Sequence, residues 1–337
     1  MDRTIDNPSI NASQPETVSV RSRERGPKEI WPNFFIVGAP RAGTSSLYQY
    51  LRRVPGVYMP YRKEPHYFGA PLAERLRRKR IPVFAPNLRV RSQAEYLKLF
   101  KNVKDEVAVG EASASYLRDP EAPGRIKETV PEARIIMILR DPVERAYSHY
   151  LQNVNNGWQR LPFEEAVQLD LYLEPSLYAK QVQKYLDAFG SDHVKVLIFE
   201  DFIQEPRKTV SDVLKFLGVH AEPPAIVGKV YNYPITSRWP WLEPLWRSRL
   251  GKLVRTPFRI LIPRRTRLLI RRQVLYRKAS KPPMPEKARR FLEEAFHSDV
   301  ERLEQILGRS LPWFHARDRL AQDQDKRSAG GTSNAHR

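Results

Sequence analysis

Residues 35–51 read FIVGAPRAGTSSLYQYL: an apolar run, a turn through two glycines, and the start of a helix. A strand that feeds a helix through Gly38 and Gly43 aims several backbone N–H groups at one point, where the helix dipole also favours negative charge. Thr44 and Ser45 add hydroxyl donors there. The spacing is nearly that of a phosphate-binding loop, which carries a lysine directly after its second glycine. Here that place holds Thr44, and the nearest cation is Arg41, inside the loop. An ordinary strand-to-helix turn would need the glycines alone.

The rest of the chain repeats this alternation. Short β-branched or aromatic runs predict strands at Asn33–Val37, Val107–Val109, Arg134–Leu139 and Val194–Phe199. Helical spacing predicts helices over Thr44–Arg53, Gln93–Phe100, Pro142–Gln152, within Phe163–Phe189, over Pro206–Leu217 and over about Pro285–Leu307. Strands alternating with helices predict an α/β domain of three layers, a central parallel sheet with helices on both faces. Ligands of such sheets bind outside the carboxyl ends of the strands. Residues 54–106 read as a long insertion rich in Pro, Tyr and Arg, and loops of that length are usually functional or disordered.

Composition narrows the chemistry. The 337 residues fit one large domain, placed at 30–317, with polar tails at 1–29 and 318–337 predicted to be disordered. No cysteine is present, which excludes disulfides, thiolate metal sites and a cysteine nucleophile. The seven histidines form no HExxH pattern, and no metal is expected. The polar first 30 residues show no secretory signal, and the longest apolar run, Ile135–Leu139, is far too short to span a bilayer. The expectation is a cytoplasmic protein. Of the net charge of +20, most comes from 247–290, which holds sixteen Arg or Lys against the single acid Glu286. That segment reads as either a solvated basic face or a pair of amphipathic helices lying on anionic headgroups at the inner face of a membrane.

A second stretch, ILRDPVERAYSHY, ends a strand in Arg140 and starts a helix at once. Asp141 is placed as N-cap, Pro142 at the first helical position and Glu144 two residues on. Arg140 then shares a sheet edge with the 38–46 loop, and Ser148 offers a hydroxyl two turns into the helix; an arginine with a hydroxyl makes a phosphate clamp. A metal-dependent nucleotide kinase would need the missing lysine and a strand ending in a lone acid. A reading without metal places a 5′-phosphate in the loop, a second phosphate at Arg140, and Arg41 against the leaving oxygen.

On these motifs the chain resembles the sulfotransferases that use 3′-phosphoadenylyl sulfate (PAPS), and among them the carbohydrate-type, heparan sulfate-type and bacterial members. The likeness runs from about Phe34 to Phe314. It implies that Pro40, Arg41, Ala42, Gly43, Thr44 and Ser45 wrap the 5′-phosphosulfate and that Arg140 and Ser148 bind the 3′-phosphate. Relatives commonly carry Lys where Arg41 stands. YNYPITSRW resembles a loop that closes over the cofactor through Arg238, and the ending DVERLEQILGRSLPWF resembles the family's closing helix. GEASASYL lies where relatives show Lys at the position of Ala112. In YRKEPHYF, Glu64 matches the carbohydrate-type base, His66 is the rival base of phenol- and alcohol-sulfating relatives, and Lys63 is placed to steady the bridging oxygen. Pro65 is expected to hold Glu64 extended.

The implied activity is direct sulfuryl transfer from PAPS to a hydroxyl or amine of a carbohydrate or other acceptor, without metal or covalent intermediate. Tyr58, Tyr61, Tyr67, Phe68, Tyr116 and Trp158 are candidates to line the acceptor site. A metal-dependent kinase, or a non-catalytic basic module for nucleic acid or lipid, remain the alternatives. No nucleic-acid partner is expected on the first reading.

Overall fold

The structure, a computed structural model, describes residues 29–69, 90, 92–228 and 281–313, together with the backbone of 235–237 and 276–278. In chain order these form β1 (Phe34–Gly38), α1 (Thr44–Leu51), β2 (Val57–Tyr58), α2 (Gln93–Leu97), β3 (Ala108–Ala112), α3 (Ala122–Thr129), β4 (Arg134–Leu139) and α4 (Pro142–Asn155). The short helices α5 (Phe163–Ala166) and α6 (Asp170–Leu173) follow, then α7 (Tyr178–Phe189), β5 (Val194–Ile198), α8 (Phe199–Gln204) and α9 (Pro206–Phe216). A two-stranded antiparallel pair, β6 (Ile235–Ser237) with β7 (Tyr276–Lys278), precedes the long α10 (Glu286–Leu307).

Five parallel strands stand in the order β2-β3-β1-β4-β5. The central ones are covered on both faces, so they read as continuous apolar runs rather than alternating ones. Phe34 to Val37 and Ile135 to Leu139 are accordingly fully buried. The chain leaves β1 toward β3 and β2 but leaves β4 toward β5. Their carboxyl ends therefore flank the crevice where a sheet of this kind binds ligands. Right-handed crossovers in opposite directions put helices on opposite faces. Residues α1 and α9 pack together, while α7 packs on α3 and α10.

Several boundaries differ from the sequence reading. The strand expected at Val107–Val109 runs to Ala112, and Val107 lies outside it, exposed. β2 is two residues long and exists only as a partner of β3, with Val57 opposite Ala108. α3 begins with Pro123 inside its first turn, where the proline ring suits a helix start rather than breaking it. The stretch Phe163–Phe189 is broken at Pro175, and only Tyr178–Phe189 continues as one helix, ended by Gly190. Within the insertion, residues 92–106 hold α2 and a turn of tighter helix at Lys98–Phe100; residues 70–89 and 91 lie outside the described residues.

Two glycines set the entrance to the crevice. A Cβ on Gly38 would stand 2.5 Å from the Leu117 Cβ, so the turn after β3 could not approach β1. Gly43 caps α1 with φ of 94°, in the left-handed region that side chains resist. The tails 1–28 and 314–337, Arg238 and the greater part of 247–290 lie outside the described residues. No described helix is long and apolar enough to cross a membrane.

Candidate active site at the strand ends

The loop after β1 and the end of β4 meet, although about a hundred residues separate them. Ala39 N–H donates to the Ile138 carbonyl at 2.7 Å, which ties the start of the loop to β4. The Arg140 guanidinium donates through Nη1 to the Arg41 carbonyl at 3.2 Å, and lies 4.8 Å over the Phe199 ring. Arg41 Nε donates to Ser148 Oγ at 3.1 Å. Ser148 thus pairs with Arg41, because two turns of α4 carry its hydroxyl past the strand end to the loop. Thr44 and Ala42 are buried, and Pro40 and Ser45 are half-buried beside them.

The charges here do not balance locally. Burial and the neighbouring Arg140 cation hold the Arg41 guanidinium down to about 10. Arg140 Nε is buried with no hydrogen-bond partner among the described residues. Glu144, its ion-pair partner at 3.5 Å, is also bound by Lys281 and, at 3.1 Å, by Arg289. Two cations of the basic segment therefore turn inward onto α4 rather than out to a surface.

Asp141 caps α4 by accepting from Val143 and Glu144 N–H, at 2.8 and 3.1 Å. Its own N–H donates to Glu200 at 3.2 Å, a residue of α8, because Glu144 is drawn to the cations. Burial, aided by Glu144 and Glu200, raises the Asp141 carboxyl to about 6 against the pull of its helix N–H donors.

On the other side of Thr44 stands the 60–68 loop. Lys63 Nζ donates to Thr44 Oγ1 at 3.5 Å and to Glu64 Oε1 at 2.5 Å. Glu64 Oε2 accepts from Ala114 N–H at 3.0 Å and lies 3.5 Å from His66 Nε2. Burial would raise the Glu64 carboxyl, but Lys63, His66 and the Ala114 N–H outweigh it and hold it below the usual carboxylate range. Burial lowers His66 against the opposing pull of Glu64, with Lys63, Arg118 and Arg62 adding to the lowering. His66 Nδ1 shares a hydrogen bond of 2.8 Å with Ser115 Oγ. The Glu64 side chain is 31% exposed and that of His66 8%, so the carboxylate is the more reachable base.

Glu64 is not extended, as Pro65 led the sequence reading to expect: its φ is 60°, and that of His66 is 56°. The reason is attachment at both ends. Glu64 N–H donates to the Ala112 carbonyl at 2.9 Å, and His66 N–H to Ser113 Oγ at 3.1 Å. The chain can meet both only by turning left-handed between them. Among the described residues the non-glycine positions with positive φ are Arg41, Glu64 and His66, all at this site. Such backbone costs of order 1–3 kcal/mol each and persists where the surroundings over-determine it.

The aromatic residues divide. Phe68 and Tyr116 are buried, Tyr67 stacks on Tyr96 at 4.4 Å, and Tyr58 donates to the Leu99 carbonyl at 2.8 Å. Phe68 and Tyr116 form a wall behind the base loop, a direction that short spacing in a Pro-rich loop concealed, while Tyr58 and Tyr67 are half-buried. Tyr61 and Trp158 are exposed, at 81% and 43%. Behind the wall lies Glu111, which the sequence reading did not single out. Fully buried on β3, it accepts from Tyr96 OH at 2.6 Å and Tyr116 OH at 3.1 Å. Burial pushes its carboxyl up to about 7, with hydrogen bonds from Ser113, Tyr96 and Tyr116 opposing and the Glu64 charge adding. An acid in the otherwise apolar strand AVGEA was the available signal.

Comparison with known proteins places this geometry. Residues 32–223 match the sulfotransferase family model. A crystal structure of a sulfotransferase from Alicyclobacillus acidocaldarius superposes with a TM-score of 0.60 at 30% identity, covering 84% of this chain and 98% of that one. Human heparan sulfate glucosamine 3-O-sulfotransferase 6 is 27% identical over 285 residues, 80% of this chain and 76% of that protein. Mouse carbohydrate sulfotransferase 15 is 28% identical over 253 residues, 56% of this chain, and the chain spans only 44% of that relative's length.

Proposed function

The chain belongs to the sulfotransferase family, and from that premise we propose that it moves a sulfuryl group from PAPS to a hydroxyl or amine of a carbohydrate acceptor. The observation that carries this reading is the Lys63 ammonium, which bridges Thr44 of the loop and Glu64, at 3.5 and 2.5 Å. One cation thereby joins the anion-binding loop to a carboxylate. The names of the matched relatives, carbohydrate and heparan sulfate sulfotransferases, support the acceptor class.

The residues present fit a doubly phosphorylated nucleotide. Arg140 has a buried Nε without a partner among the described residues, and Arg41 stands beside it, lowered by burial and by the Arg140 charge. Arg140 is assigned the 3′-phosphate, and Arg41, Lys63 and the N–H groups of Ala42 to Ser45 the 5′-phosphosulfate. When bound, PAPS supplies the sulfuryl group. Glu64, ionised at neutral pH, takes the acceptor's proton at the carboxylate as its oxygen attacks. Arg41 and Lys63 balance the charge that grows on the leaving oxygen. His66, neutral and hydrogen-bonded to Ser115, orients the carboxylate. A peripheral contact of 247–290 with anionic headgroups, and a cytoplasmic location, stay proposals resting on charge and composition alone.

The test is thermal shift with 3′-phosphoadenosine 5′-phosphate (PAP) against ATP, followed by transfer from sulfur-labelled PAPS across a panel of glycans. Stabilisation by PAP and not by ATP is expected, with label appearing on a glycan. Stabilisation by ATP with Mg²⁺ alone would favour the kinase alternative.

A further inference from the structure

The turn at 113–119, after β3, supports the base loop through three residues: Ala114 N–H holds Glu64, while Ser113 and Ser115 hold His66. The same turn ends in Arg118, which has no part in the assignments above. Its main chain is anchored, because Leu117 N–H donates to the Val37 carbonyl at 2.8 Å and both Leu117 and Asp119 are buried.

Arg118 Nε is buried and without a hydrogen-bond partner among the described residues. Two acids face it among the described residues, Asp119, which is held by Arg125 at 2.7 Å, and Glu174, which is exposed. The contrast with Arg125 is instructive. That guanidinium, seven residues on, bonds Phe68 O at 2.6 Å, Glu121 at 2.6 Å and Asp119 at 2.7 Å, as a structural arginine does. A buried donor left unpaired costs about 1–3 kcal/mol, more when charged, and native proteins keep few of them. The Arg118 charge also adds to the lowering of His66 in the base loop.

We propose that Arg118 is an oxyanion contact beside the base loop, its unpartnered Nε–H completed by a sulfonate oxygen of the sulfuryl donor or by an acid group of the acceptor. This assignment rests on the sulfotransferase reading. It adds a binding residue to the turn that already positions the base, so that one short segment reads both the base and the group passing it.

The experiment measures PAP and PAPS affinity by calorimetry, and acceptor KM and kcat by labelled transfer, for the parent, Arg118→Gln and Arg118→Lys. A parent that does not bind PAP sinks the sulfotransferase reading itself, apart from any result on Arg118. Given that binding, a ten- to hundredfold loss is expected in Arg118→Gln, by analogy with other charge-assisted contacts. If it falls on PAPS and spares PAP, the partner is the sulfuryl oxygen. If both nucleotides bind as before and the acceptor KM rises, the partner is the acceptor's acid. In either case Arg118→Lys restores part of the loss. Equal weakening of PAP and PAPS, or parental values throughout, overturns the proposal. Should Arg118→Gln fail to fold, Arg118→Lys keeps the charge without the fork, and parental values in it overturn the proposal as well.

Discussion

The two halves of the site solve opposite electrostatic problems. Around the loop after β1, Arg41 and Arg140 are pressed together in a buried place, and Glu144, which pairs with Arg140, is shared with Lys281 and Arg289. In the base loop, Glu64 is already compensated by Lys63, His66 and a backbone N–H. The first half is incomplete until an anion arrives, while the second is poised before anything binds. The halves also differ in how far their contacts reach. Arg41 meets Ser148 and Arg140 across 107 and 99 positions, whereas Glu64 and His66 are held by residues 50 and 47 positions away.

That comparison can be broken at its poised half first. Glu64→Gln keeps the shape and removes the proton acceptor, so single-turnover transfer should fall about 10²- to 10⁴-fold with PAP affinity unchanged. His66→Ala should cost much less. A variant pair in which Glu64→Gln runs at the parental rate and His66→Ala is dead would move the base to His66.

The support behind that half is tested through Glu111. Its carboxyl rises from 4.5 to about 7 on folding, so the native state binds the extra proton between those values. Stability should therefore fall as pH rises from about 4.5 to about 7 and level off above, a change on the order of 3 kcal/mol. Glu111→Gln should reduce this slope in urea unfolding followed across pH, keeping only the part below about 6 that the raised Asp141 supplies. A slope identical to the parent's would assign the effect to other groups.

The incomplete half is sharpened by Arg140→Ala. Losing a charge-assisted contact should weaken PAP about ten- to a hundredfold, and adenosine 5′-phosphate, which lacks the 3′-phosphate, hardly at all. Equal losses by calorimetry would detach Arg140 from that phosphate. The smallest shift, read in the pH profile apart from any loss of rate, is expected at the bridge between the halves. Lys63→Met removes the ammonium that holds Glu64 down, so the acid limb of the kcat/KM profile should move to higher pH. An unmoved limb would mean that His66 and Ala114 suffice.

Much of the first half was legible before any coordinates. Gly38, Gly43 and the apolar run before them announce a strand, a turn and a helix, and Asp141-Pro142 announces the next helix start, because each signal is local. The capping partner was not legible: Glu200 takes the Asp141 N–H, since Glu144 is claimed by cations some 140 residues later. β2 escaped because two residues make a strand only when β3 lies beside them. Phe68 and Tyr116 looked like a lining because a Pro-rich loop gives no sign of which way its rings turn.

Read alone, the sequence determined the alternating parallel sheet, the anion-binding turn at 38–45 and the cation at the end of β4. Each follows from backbone propensity, apolar periodicity or a cap within a few residues. Only the tertiary structure decided that Ser148 pairs with Arg41, that Glu64 turns left-handed, and that Glu111 is buried against Tyr96 and Tyr116. Those outcomes depend on burial and on partners fixed across the sheet. Desolvation and long-range hydrogen bonds exist only once β1, β3 and β4 have come together.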